Sequence, residues 1–113
     1  MIVFHNMRSA PEVASEPNVR PGAWLIIRTE AGSNHLVAAL QNGSLRLTSA
    51  LMEIHVSARI AVTASGRVYE LDEAPADDAE TVSLLMARAQ LDLQGSCEDV
   101  SVKVWSELLR LAH

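Results

Sequence analysis

The 113-residue chain has one cysteine, few aromatic residues and no long apolar run. Because Cys97 is alone, an intramolecular disulfide is excluded, and a reducing compartment fits this composition. No stretch approaches the ~18 apolar residues of a membrane-spanning helix. The apolar run at the N-terminus is broken at His5 and Asn6, too early for a secretory signal. We therefore expect a cytoplasmic protein without a membrane segment.

The scarcity of aromatic side chains and the charge both disfavour a nucleic-acid-binding surface. Two tryptophans, one tyrosine and one phenylalanine supply few stacking platforms for bases. The net charge is -5, and the acidic residues are in excess only after residue 69, whereas basic residues are in excess before it. We attribute this asymmetry to a change from strands to helices, whose N-termini favour acidic residues.

The sequence also lacks the short motifs of catalytic, nucleotide and calcium sites. Four histidines are present, and none has the spacing of a metal site: His5, His35, His55 and His113. We expect no metal and no cofactor. Cys97 is predicted in the first turn of a helix, where the dipole lowers a thiol pKa, but Glu98 and Asp99 oppose that effect. We expect a structural role for this cysteine.

Alternating apolar and polar residues are abundant from residue 23 to residue 72. They predict about five short antiparallel strands, arranged as a meander or a small partly open barrel. The candidate strand segments are 23–30, 35–41, 44–49, 51–57, 59–64 and 67–72. Asn42 and Gly43 predict a type I′ hairpin turn with positive φ at both residues. Residues 6–20 predict an irregular loop.

After Pro75, the spacing of apolar residues changes from that of a strand to that of an α-helix. Asp77, with Glu80 three residues later, resembles a capping box, and an apolar stripe predicts a helix over residues 78–93. Gly95 ends it, and Ser96 is the predicted cap of a second helix that runs to about residue 112. The fold class is therefore α+β: one domain spanning residues 1–113, with an N-terminal antiparallel sheet followed by a C-terminal two-helix hairpin over 78–112.

Two surfaces are candidates for protein contacts. Four arginines occupy positions that are polar by alternation and could share one sheet face that grips an acidic partner: Arg28, Arg46, Arg59 and Arg67. The helices carry more apolar residues than one sheet can cover, which predicts a homodimer. The candidate interface residues are Leu84, Leu91, Val102, Trp105 and Leu109. The alternative is that Ile2, Val3 and Phe4 cover this stripe within a monomer.

These features favour a non-enzymatic protein that acts by protein–protein contact, such as the accessory or inhibitory proteins that phages and mobile elements encode. Two alternatives remain open. One is a small-molecule-binding or catalytic domain, with Cys97 or a histidine in a pocket between the sheet and the helices. The other is nucleic-acid binding through the arginine-bearing sheet face.

Overall fold

The α+β fold class is confirmed by a computed structural model, which describes residues 17–55 and 57–111. Most of the predicted loop over residues 6–20 lies outside the described residues, as do Ile2, Val3 and Phe4. The described elements in chain order are Asn18–Val19 (β1), Trp24–Thr29 (β2), Asn34–Ala39 (β3), Leu45–His55 (β4), Ile60–Thr63 (β5), Val68–Glu70 (β6), Ala79–Leu93 (α1), Cys97–Asp99 (β7) and Ser101–Leu111 (α2). No helix in these ranges is long and apolar enough to cross a membrane.

The strands form one open sheet in the order β1–β6–β5–β4–β3–β2–β7. All neighbouring strands are antiparallel except β1 and β6, so the sheet is mixed rather than purely antiparallel. The predicted strands 44–49 and 51–57 are joined in β4, which has irregular register opposite both of its neighbours. A β-bulge bends a strand without ending it, so one strand can continue across a break in the alternation of apolar and polar residues.

Three hairpins of the sheet share one turn geometry, and the predicted type I′ turn is wrong. In the β3–β4 hairpin, Leu40 N donates to Ser44 O and Gly43 N donates to Leu40 O. Only Gly43 has positive φ, whereas Asn42 accepts a bond from Ser44 N through its side chain. This pattern is a three-residue loop with glycine in the left-handed position. The β2–β3 and β5–β6 hairpins repeat the pattern with Gly32 and Gly66.

The two helices pack on opposite faces of the sheet. Neighbouring residues of β2 point to opposite faces, and Leu25 belongs to the apolar cluster that holds Leu85 of α1. Ile26 belongs to the other cluster, together with Leu108 of α2. The sequence-based assumption that the helices pack side by side as a hairpin is therefore corrected: each has its own side of the sheet.

The sheet curls around the cluster under α2. The Trp24 indole nitrogen on β2 donates to Glu73 O, and Ala76 N donates to Trp24 O. Residues 73–76 lie three to six residues after the end of β6, which is four places from β2 in the sheet order. The cluster under α2 likewise brings together Val19 of β1, Tyr69 of β6 and Trp24 of β2, which indicates that the sheet curves toward this face.

Both predicted helix starts are corrected. The N-cap of α1 is Asp78 rather than Asp77, because the Asp78 carboxylate accepts from Thr81 N at 2.9 Å. The second helix begins at Ser101 rather than next to Ser96, because Cys97–Asp99 forms β7 against the edge of β2. This places Cys97 on a strand rather than in the first turn of a helix.

Candidate functional site

Three of the candidate arginines lie on the inner face of the curled sheet, the face that α2 covers. Arg28 lies two residues after Ile26 on β2 and therefore on the same face of the sheet, and Arg46 lies opposite Ala38. Ile26 and Ala38 both belong to the cluster under α2. Arg67 closes the β5–β6 hairpin and is 5% exposed. The alternation along the strands thus does bring arginines to one face, but that face is largely internal.

Contacts within the chain engage these arginines. Arg28 Nε donates to Asn34 Oδ1 at 3.1 Å, and Arg46 Nη1 donates to the Tyr69 hydroxyl at 3.4 Å. Arg59 is not on a strand: it lies in the β4–β5 connection with φ 52°, and its guanidinium is 5.8 Å from the centre of the Trp105 ring. An acidic partner would compete with these contacts, so the binding role of the four arginines stays a prediction.

The predicted dimer-interface residues do not form one surface. Leu84 and Leu91 are 58% and 72% exposed on the outer side of α1. Val102 is 73% exposed on α2, which lies across the sheet from α1. A single flat interface therefore cannot bury all of these side chains together.

The other two predicted interface residues, both on α2, are half-buried within the chain. Trp105 packs edge-on against Trp24, with ring centres 5.9 Å apart, and belongs to the cluster under α2. Leu109 is partly covered as well. The exposed leucines that remain together are those of α1.

His35 is held in a hydrogen-bonded chain at the β2–β3 hairpin. Its Nδ1 is 2.9 Å from Thr48 O, which can only accept, so Nδ1 carries the hydrogen. Its other ring nitrogen, Nε2, lies 3.1 Å from the Ser33 hydroxyl oxygen, and Ser33 Oγ is 2.9 Å from Thr29 Oγ1. A histidine hydrogen-bonded to a hydroxyl is also the arrangement in which a general base activates a serine or threonine nucleophile.

The surroundings of His35 indicate that this series of hydrogen bonds has a structural role. His35 is 3% exposed, and Thr48 Oγ1 accepts from Leu36 N at the irregular step between β3 and β4. Ser33 N also donates to Thr29 Oγ1, which holds the turn closed. His35 and His55 do not meet across the sheet, because His35 pairs with Ala50 and His55 pairs with Ile60.

Cys97 is half-buried in the cluster under α1, and burial raises the pKa of its thiol. A raised pKa lowers the thiolate fraction at neutral pH, which disfavours reactivity. Within the described part of the chain, no group of three or more histidine, cysteine or acidic residues could hold a metal ion.

The end of β4 is an exposed segment whose exposure sequence reasoning missed. Met52, Glu53, Ile54 and His55 are all exposed, and His55 Nε2 lies 3.2 Å from Glu53 Oε1. The alternation over residues 51–57 predicts a strand with one buried face. The alternation of apolar and polar residues did not reveal this exposure, because it does not show whether other elements will cover the apolar face.

Comparisons with protein-family models, with curated proteins and with solved structures gave no match. The function of this protein is therefore inferred from its own surfaces.

Proposed function

We propose that this protein is a non-enzymatic interaction protein that binds another protein through the outer face of α1. The observation that supports this proposal is the exposure of Leu84 and Leu91, at 58% and 72%. They are seven residues apart, so they lie two turns apart on one side of the helix. Exposed Ala87 lies between them and leaves room for a close approach.

The energetics of leucine burial favour such a contact. Covering one leucine side chain completely contributes about 1.5–3 kcal/mol, so two neighbouring leucines can form the centre of a small interface. Arg88 and Asp92 form an ion pair at 2.7 Å on the same helix and supply a polar border. An apolar helix face with a polar border suits a helix or a helix-binding groove as partner.

Self-association through the helices is the case in which the partner is a second copy. It stays a prediction, and the neighbouring exposed leucines favour α1 as its site. Light scattering detects such a dimer by its mass, which is twice the 12.2 kDa of one chain, and Leu84→Glu with Leu91→Glu should dissociate it.

The proposed function is tested by affinity capture from the source cells with three immobilised proteins. These are the wild type, the double variant Leu84→Glu with Leu91→Glu, and the control Val102→Glu, which changes an equally exposed residue on the other helix. We expect the bound proteins to be lost only with the double variant, because charged side chains cannot be buried without a partner. Equal recovery with all three proteins would contradict the proposal.

A further inference from the structure

The end of β4 has a strand on only one side among the described residues. Pairing of β4 with β3 ends at Ala50, whereas pairing with β5 continues to His55. Within residues 17–55 and 57–111, no strand pairs with the other side of Met52–His55. Backbone N–H and C=O groups along such an edge are available to a further strand.

This edge differs from the two ends of the sheet. The end strands β1 and β7 have only two and three residues, and β7 carries Glu98 and Asp99. The β4 edge carries Met52, which is 66% exposed, and Ile54, which is 36% exposed. Beyond the irregular step at Met52, the residues from Glu53 to His55 pair with β5 in regular register. The segment contains neither lysine nor proline, the residues that commonly protect edges.

We infer that a second copy of this chain adds to the sheet along this edge, with the two β4 strands antiparallel about a two-fold axis at Ile54. In this register, Ile54 lies opposite Ile54 of the partner subunit. Glu53 lies opposite His55 of the partner subunit, and the symmetry repeats this pair. Directly opposite residues point to the same face, so carboxylates meet imidazoles and apolar side chains meet each other.

Charge favours this register over one with the axis at Glu53, because that axis would place two carboxylates directly opposite each other. The 3.2 Å contact between Glu53 and His55 within one chain shows that these side chains share a face of the strand. In the paired strands each carboxylate therefore lies between two imidazoles.

The inference is independent of the proposed function, since it uses β4 rather than α1. The regular ladder is short, so we expect a weak dimer whose population rises with protein concentration. Sedimentation velocity over a concentration series measures this. A mass of 12.2 kDa at every concentration would overturn the inference.

Charge exchange tests the register. His55→Glu places carboxylates opposite each other and should dissociate the dimer. Adding Glu53→Lys to that variant restores opposite charges at both pairs and should restore the dimer. Restoration is the informative result, because a general loss of folding would not be reversed by a second substitution. Failure to restore the dimer, in a variant with an unchanged circular dichroism spectrum, would overturn this register.

Disulfide trapping tests the location. In a Cys97→Ser background, Ile54→Cys should form a covalent dimer in a glutathione buffer, because opposite Cα atoms in antiparallel strands are about 4.5–5.5 Å apart. The control carries Leu84→Cys and Leu91→Cys on α1. Trapping through Ile54→Cys alone supports the β4 edge. Trapping only through the α1 cysteines would overturn the edge in favour of a helix-mediated dimer.

Discussion

The two helices are attached to the same strand by different kinds of contact. On one face of β2, α1 packs through aliphatic side chains, with Leu85 and Ala89 fully buried. On the other face, α2 packs through Leu108, and hydrogen bonds also join its start to β2: Ser101 Oγ accepts from Ile26 N at 2.8 Å, and Val100 N donates to Ile26 O at 2.9 Å.

Under the proposed function, this difference corresponds to separate roles for the two helices. Apolar packing is non-directional, so α1 needs only its inner stripe for attachment and keeps its outer leucines free for a partner. Directional bonds fix the start of α2 relative to β2, and its tryptophan then closes the cluster inside the curled sheet. We therefore interpret α1 as the binding helix and α2 as the structural one.

The largest expected effect concerns adjacent leucines on α1. Leu85→Ala should lower the free energy of unfolding by about 2–5 kcal/mol, because it leaves a cavity in the cluster under α1. Leu84→Ala should change it by less than about 0.5 kcal/mol, since this side chain faces water. Urea denaturation of both variants measures the difference. Similar losses for the two variants would show that the outer face of α1 is already covered.

A smaller effect is expected at the start of α2. Ser101→Ala removes the acceptor for the buried Ile26 N–H, which should cost about 1–3 kcal/mol. Ser106→Ala, on the exposed side of the same helix, is the matched control and should have almost no effect. Thermal unfolding monitored by circular dichroism compares the two variants. Equal stability of the two would mean that apolar packing, rather than hydrogen bonding, holds α2.

The smallest effect concerns the cap of α1. The backbone N–H of Thr81, together with its hydroxyl, holds the pKa of the Asp78 carboxyl below its ordinary value of about 3.9. A lowered pKa stabilises the folded state above pH ~3.9, and this contribution is lost as the pH falls through the lowered value. Asp78→Asn keeps a capping side chain but cannot titrate.

Acid titration of the helical circular dichroism signal, compared between the wild type and Asp78→Asn, measures this effect. We expect the wild type to lose more signal than Asp78→Asn between pH ~3.9 and the lowered pKa. If the two proteins lose signal in parallel, the cap does not depend on the charge of Asp78.

Local chemistry made much of the fold predictable from the sequence. Period-2 alternation located β2, β3, β5 and β6 to within one or two residues, and a 3.6-residue stripe predicted a helix over 78–93 where α1 spans Ala79–Leu93. The inward stripe, with Leu85 and Ala89 buried, and the exposed Leu84 and Leu91 also followed from this period. Each of these features depends on residues that are neighbours along the chain.

Contacts between distant residues decided the rest. Residues 97–99 follow a serine that resembles a helix cap, yet they form a strand because the edge of β2 offers them hydrogen bonds. The separation of the helices follows from β7, which carries the chain along that edge before α2 begins on the other face of the sheet. Arg67 is only 5% exposed in the folded chain, although its position in the alternation predicted a polar face. The sequence by itself determined the period of each element, whereas the face that each element covers was decided by packing across the sheet.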